Sequence, residues 1–221
     1  MGNFFEGKDF NKKGFRALIP RYYTPKYKKY ISEETKLLKS GVKGANRILE
    51  AGIGNGRLIR FLAPLTKEMI GVDNASLMLS QSRETAKNFD NVKIVRGNLE
   101  KLDKLFSEKY FDVSFCVWNT LGNVKDEIIV LKKLKKITKG KIFITVFKKG
   151  TLNERNEFYE KIGVRIKKVD KKNEVFYSET GLRSKAYNLQ DIRKLAARSG
   201  LKVKNPKILA GVVLYAELNS K

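Results

Sequence analysis

Between residues 47 and 147 short apolar runs alternate with amphipathic, helix-like stretches, and that rhythm leaves few folds open to the chain. The runs at 47–51, 69–73, 92–95, 111–117 and 141–147 have strand length and are apolar nearly throughout, as strands covered on both faces are. Helical spacing fills the stretches 57–65, 76–88 and 126–138 between them. Neighbouring parallel strands need crossovers of this kind, so the pattern predicts an α/β domain with a largely parallel sheet and helices on both of its faces.

The flanking segments extend this frame. Thr24-Pro25 offers an N-cap followed by proline at the first helical position, and predicts a helix over 25–40 stopped by Gly41. Tyr27, Tyr30, Ile31, Leu37 and Leu38 are candidates for its apolar face. Beyond a further helix at 151–162, the alternating runs 164–169 and 174–177 predict a hairpin with its turn at 170–173. Asn188 and Asp191 have the spacing of a capping box and open a helix that ends at Gly200, and strands are expected at 201–203 and 207–218. No linker or repeat divides the chain, so one domain is expected over 1–221, with a cap and helix at 1–43, a core at 44–221 and a flap at about 163–187.

Composition narrows the chemistry. The sequence has no histidine, which excludes Ser-His-Asp and Cys-His catalysis and histidine-ligated zinc, and no metal site is expected. Cys116 stands alone inside an apolar run, so it reads as a buried structural thiol. No apolar stretch approaches the ~20 residues of a membrane span and no signal-peptide core is present, so a cytoplasmic protein with no membrane partner is expected. Forty-seven basic against 23 acidic residues give a net charge of +24. Such a charge attracts polyanions such as RNA, but it also arises as the Lys/Glu-rich surface of a thermophile or an AT-rich genome. Arginine, the better residue for planar phosphate and base recognition, supplies 12 of those cations and lysine 35.

The most informative stretch is Ile48-Leu49-Glu50-Ala51-Gly52-Ile53-Gly54-Asn55-Gly56-Arg57-Leu58, an apolar strand running into three spaced glycines and then a helix. Such a loop lets the backbone approach a ligand and aims amide groups at it. Seventeen residues past Gly56, Asp73 closes the next strand, where a carboxylate can accept both hydroxyls of a ribose. A nicotinamide-binding loop places its third glycine one residue later, which weighs against a dehydrogenase.

Glu50 followed by Gly52-x-Gly54-x-Gly56 resembles the first motif of the class I S-adenosylmethionine-dependent methyltransferases, and the resemblance runs from about Ile48 to the C-terminus. It implies a Rossmann-like three-layer α/β sandwich, with a mostly parallel sheet of seven strands, an N-terminal helical cap and a small flap. It also implies that S-adenosyl-L-methionine is the cofactor, held at its methionine end by Glu50, Gly52, Gly54 and Gly56 and at its ribose by Asp73, with Asn74 beside the adenine. The family's next motif is usually Gly-Asp; here it is Gly97-Asn98-Leu99, where Asn98 can either offer an amide oxygen to the adenine or act as a helix N-cap.

On the acceptor side the loop after the fourth strand begins Trp118-Asn119 and lacks the Asn-Pro-Pro-Tyr pattern of base-methylating relatives. Trp118 can pack on a ligand or in the core, and Asn119 can orient an acceptor or make a turn. Tyr22 and Tyr23 from the cap, with Tyr177, Glu179, Arg183 and Tyr187 from the flap region, complete the acceptor-side candidates. Arg183 is the residue expected to grip an anionic group, and 178–187 with Tyr22-Tyr23 is expected to form a mobile cover. The leading expectation is a methyltransferase for a small-molecule acceptor. The alternatives are an RNA methyltransferase using the basic surface and, less favoured, a non-catalytic nucleotide-binding protein.

Overall fold

The computed structural model describes residues 19–220. Among these residues ten strands form two sheets: β1 (Arg47–Ala51), β2 (Glu68–Asp73), β3 (Val92–Arg96), β4 (Val113–Cys116), β5 (Ile142–Phe147), β6 (Ile166–Asp170), β7 (Val175–Ser178), β8 (Arg183–Lys185), β9 (Leu201–Leu209) and β10 (Val213–Ser220). The main sheet has seven strands in the order β3-β2-β1-β4-β5-β10-β9. The four pairings from β3 to β5 are parallel, and β10 runs antiparallel to both β5 and β9. The chain builds outward from β1 to β3 and then returns to place β4 on the other side of β1. That reversal opens a crevice at the carboxyl ends of β1 and β4, the place where open α/β sheets bind ligands.

Seven α-helices accompany these strands among the described residues: α1 (Pro25–Gly41), α2 (Ile59–Leu62), α3 (Ser76–Ala86), α4 (Thr120–Asn123), α5 (Glu127–Ile137), α6 (Leu152–Lys161) and α7 (Leu189–Arg198). Separate apolar clusters cover the two faces of the sheet, one built around α1 to α3 and α6, the other around α5 and α7. Every residue of β4 and β5 is buried, which is why both read as continuous apolar runs instead of alternating ones.

Local signals act where the sequence places them. Thr24 caps α1 by accepting from the Tyr27 amide, Asp126 caps α5, and Asn188 and Asp191 form the capping box of α7. Gly41 lies inside α1 instead of beyond it: a Cβ there would sit 2.5 Å from the Phe143 ring, so its smallness serves packing against β5. The helix expected at 57–65 shrinks to α2 and a 3-10 turn at Ala63–Leu65, because Pro64 lacks the amide a continuing α-helix needs. The last two strands divide differently from the expectation. β9 is one exposed edge strand that carries Pro206 and a bulge at Asn205 (φ 45°), and Ala210-Gly211 turns the chain into β10. Proline and lysines on that edge are common devices against edge-to-edge pairing.

The expected hairpin is present as β6 and β7, with Asp170 accepting from the Asn173 amide in the turn. A third strand, β8, completes a small sheet. Backbone bonds from Tyr187 to Phe147 (2.8 Å) and from Lys149 to Tyr187 (2.9 Å) fasten it beside the end of β5, which sets the flap over the crevice.

Candidate active site

A cavity of about 440 Å³ lies at the carboxyl ends of β1, β2 and β4. On one side it is lined by Glu50, Gly52, Ile53, Gly54, Asn55, Arg57, Asp73, Asn74 and Met78, with Gly97, Asn98, Leu99 and Glu100 beyond them. The loop after β1 turns through positive φ at Gly52 (84°) and Gly54 (55°). A Cβ at Gly52 would strike Thr120 at 2.5 Å, whereas one at Gly54 would meet nothing within 4 Å. Gly52 therefore allows two loops to pack, and Gly54 presents bare backbone to open space. Asp73 ties this loop down. Its carboxylate accepts from the amides of Gly54 (3.0 Å), Asn74 (2.8 Å) and Ala75 (3.0 Å), which joins the end of β2 to the glycine loop and to the start of α3.

Behind the loop lies a buried polar network that begins on α1. Tyr27, Tyr30, Glu34 and Leu38 are its buried residues, so a carboxylate occupies the middle of an otherwise apolar stripe. Glu34 pairs with Arg57 of the glycine loop and accepts from the Tyr30 hydroxyl and from Thr145 Oγ1 on β5. Thr145 in turn accepts from the Trp118 amide (2.9 Å), linking α1, β5 and the loop after β4. Glu50 is buried nearby, and burial holds its carboxyl well above the usual carboxylate range; Arg57 opposes that rise, and the negative charges of Glu34 and Asp73 add to it. Two atoms here have no protein partner: Glu50 Oε2 and Arg57 Nη1. Both residues line the cavity, so it offers one buried acceptor and one buried cationic donor side by side.

The other side of the cavity is mainly apolar and aromatic: Tyr23, Trp118, Phe147, Phe158, Tyr159, Ile162, Val164 and Leu182. Trp118 and Asn119, at φ 55° and 57°, are consecutive non-glycine residues in the left-handed region, a costly conformation that clusters at binding sites. It persists because their amides are anchored on Thr145 and because the Asn119 side chain is bonded at both ends: Oδ1 accepts from the Phe147 amide (3.0 Å) and Nδ2 donates to Ser184 (3.0 Å). The indole of Trp118 is stacked between Tyr23 and Tyr30, with ring centroids 5.2 and 5.3 Å away.

Residues 48–141, which carry the glycine loop, Asp73 and the loop after β4, match the family model described as a methyltransferase domain. These residues therefore carry a methyltransferase domain, in keeping with the resemblance of the glycine loop to the S-adenosylmethionine-dependent class. Solved structures have the same fold across nearly the whole methyltransferase. The protein PH0226 from Pyrococcus horikoshii is 19% identical with a TM-score of 0.74, over 95% of this chain and 99% of that one. Magnesium protoporphyrin IX methyltransferase from Synechocystis, crystallised with S-adenosylhomocysteine, is 14% identical with a TM-score of 0.68, over 96% of both chains. A 1,6-didemethyltoxoflavin N1-methyltransferase from Burkholderia thailandensis, bound to 1,6-didemethyltoxoflavin and S-adenosylhomocysteine, is 14% identical with a TM-score of 0.67, over 87% of this chain and 78% of that one. No curated protein matches the sequence.

The methyltransferase brings most of its sequence-predicted residues to this cavity, with instructive exceptions. Gly56 (φ 79°) does not line it; a Cβ there would lie 2.7 Å from Ile59 and 3.2 Å from Ser82, so this glycine lets α2 and α3 approach the loop. Asn98 does line it and also caps the following 3-10 helix by accepting from the Glu100 amide (2.8 Å), so both roles considered for it meet in one side chain. Tyr23 is on the cavity wall, while Tyr22 is turned towards Arg21, which lies over its ring and donates to its hydroxyl.

Arg183 corrects an expectation. Its guanidinium donates to the carbonyls of Gly122 (3.0 Å) and Val124 (3.1 Å) and pairs with Glu127. Side chains alternate along an extended segment, so Leu182 and Ser184 face the cavity while Arg183 and Lys185 face α5. Tyr187 is likewise fully buried, its hydroxyl bonded to Glu127 (2.9 Å), and Tyr177 and Glu179 do not line the cavity. The lone thiol of Cys116 is buried, and that burial pushes it up to about 12. Among the residues missed by sequence reasoning are Arg57, Glu34, Phe158, Tyr159 and Ser184. Glu34 does fall four residues from both Tyr30 and Leu38, a helical spacing that marks it as inward-facing despite its charge.

Proposed function

We propose that this methyltransferase holds S-adenosylmethionine along the Glu50–Asp73 side of the cavity and methylates a small-molecule acceptor in the aromatic chamber beside it. Support for the cofactor assignment comes from the unpartnered pair, Glu50 Oε2 and Arg57 Nη1, whose opposite polarities fit the ammonium and carboxylate of an amino-acid head group. The amide groups around Gly52 and Gly54 border that head group. Asp73 takes the ribose, and Asn74, Asn98 and Leu99 take the adenine. When bound, the cofactor supplies an electrophilic methyl group on a sulfonium. The chain's own work is then to orient the acceptor and keep out water. Tyr23, Trp118, Phe147 and Phe158 wall off the chamber, and the fixed Trp118-Asn119 turn sets its floor.

The observation that favours a small molecule over RNA is the character of that wall. Arg57 and Lys125 are the basic residues lining the cavity, and Arg57 is already paired with Glu34. A site for RNA gains much of its affinity from free cations against phosphates, and the net charge of +24 is not concentrated here. No helix among the described residues is long and apolar enough to cross a membrane, and the single buried cysteine suits the reducing cytoplasm in which we infer the enzyme works.

Methyl-labelled S-adenosylmethionine supplied with a low-molecular-weight cell extract, and separately with total transfer and ribosomal RNA, tests the acceptor class. The expected result is label in the small-molecule fraction and only background in RNA at physiological salt. Protein-dependent, saturable label in an RNA would overturn the small-molecule reading.

A further inference from the structure

The acceptor chamber is not apolar throughout; one corner collects hydrogen-bond donors. Arg155 on α6 is fully buried and, among the described residues, forms no ion pair. It donates to the backbone carbonyls of Glu174 (2.9 Å) and Ser184 (2.6 Å), reaches Ser184 Oγ at 3.3 Å, and lies over the rings of Phe176 and Phe147. Its positive charge therefore stands next to the chamber with only neutral partners.

The direction of each hydrogen bond follows from the donors present. Asn119 Oδ1 accepts from the Phe147 amide, which can only donate, so its Nδ2 must face Ser184. Ser184 Oγ then receives from Asn119 and from Arg155, filling both of its lone pairs and leaving its own proton to be given away. Tyr159 lines the cavity with Ser184, and Arg155 and Ser184 lie near enough to its hydroxyl to favour its ionised form. Burial outweighs them and holds the phenol above its usual range, so Tyr159 keeps its proton. The corner thus runs from Arg155 and Asn119 through Ser184 to Tyr159, and what it has left to offer is hydroxyl hydrogen backed by a buried cation. Around it stand Phe147, Phe158, Ile162 and Leu182.

We propose that this corner docks a hydrogen-bond-accepting oxygen, phenolate or carbonyl, on a planar aromatic acceptor, and that it discriminates against ammonium-bearing aromatics of the same size. A carbonyl or phenolate oxygen accepts the hydroxyl hydrogens and is attracted by Arg155, whereas an ammonium has no lone pair for them and meets a like charge. This assignment rests on the small-molecule reading above and names the acceptor chemistry for it.

The test uses two nitroaromatic probes of opposite charge and similar size, 4-nitrophenolate and 4-nitrobenzylammonium, titrated calorimetrically into protein saturated with S-adenosylhomocysteine. The expected result is about tenfold or greater preference for the phenolate, the scale of a hydrogen bond to a charged group. Tyr159→Phe, which keeps the ring, should cut that preference several-fold while the thermal midpoint and the affinity for S-adenosylhomocysteine stay close to wild type; Ser184→Ala should cut the preference as well and, because it strands the Asn119 amide, lower the thermal midpoint, with the protein still folded and binding S-adenosylhomocysteine. No phenolate binding, an equal or reversed preference, or a preference indifferent to both substitutions overturns the proposal. The first titration, with S-adenosylhomocysteine itself, keeps the two levels apart. Failure there removes the cofactor reading, whereas cofactor binding without oxygen selectivity removes only the docking corner.

Discussion

Glu34→Ala should lower the unfolding free energy by about 3–5 kcal/mol, the cost of breaking a buried ion pair and stranding its partner. Glu34 has no exposed surface, and three donors converge on it: Arg57, the Tyr30 hydroxyl and Thr145 Oγ1. Removing the carboxylate leaves Arg57 charged at the edge of the cavity and two hydroxyls without their acceptor. Because those donors come from α1, the glycine loop and β5, the loss extends to the frame that holds Trp118 in its left-handed turn. Urea unfolding followed by circular dichroism measures the change. Adding Arg57→Met to Glu34→Ala should recover part of the loss, since the second substitution removes the stranded charge. A loss under about 1 kcal/mol, or simple additivity of the two, would show that the pair is not coupled as its geometry requires.

Glu50→Gln should have opposite effects on stability and on binding. Burial raises the Glu50 carboxyl in the folded protein, so as pH climbs past the ordinary glutamate range the unfolded chain releases this proton while the folded chain still holds it. Folded stability from this group is therefore fully present at low pH, falls as pH rises above about 4.5, and is lost by the time pH has passed the raised folded value. Glutamine does not titrate. The variant without cofactor should be more stable than wild type at pH 7 to 8, with a smaller decline between acid and neutral pH. The same change removes the carboxyl that the cofactor's ammonium is proposed to meet and, by its charge, to ionise, so S-adenosylhomocysteine should bind about ten- to a hundredfold more weakly. Thermal unfolding across pH and calorimetric titration read the two effects separately. Wild-type pH dependence in the variant would remove Glu50 as the source of the slope, and unchanged affinity would remove its role at the head group.

The parts of this protein that were legible in sequence are those whose determinants lie close together along the chain. Glu50, the glycine loop and Asp73 fall within one strand-loop-helix-strand unit, and caps such as Thr24, Asp126 and Asn188 act over three residues. The buried network behind the site was not legible because its members meet only in the fold: Glu34 and Thr145 are separated by 111 positions, Asn119 and Ser184 by 65. Charge itself misled in both directions. Glu34 looks like a solvent-facing residue and is a core one, whereas Arg183, chosen for its guanidinium, is occupied by loop carbonyls and Glu127 because strand alternation turns it away from the cavity. Gly56 shows the limit of motif reading more finely, since the third glycine of the pattern is needed by helix packing and not by the space where a ligand would sit.

Cofactor binding in this cavity is tested most directly by one calorimetric titration, S-adenosylhomocysteine into the wild-type protein and into Asp73→Ala. Asp73 lines the cavity at the end of β2, and the proposed function places the ribose on it. The wild type should bind one equivalent, and the variant, still folded by circular dichroism, should bind more weakly by about 1.5–3 kcal/mol, the worth of hydrogen bonds to a charged group. No binding to the wild type, or the same affinity in a folded Asp73→Ala protein, would contradict the placement of the cofactor in this cavity.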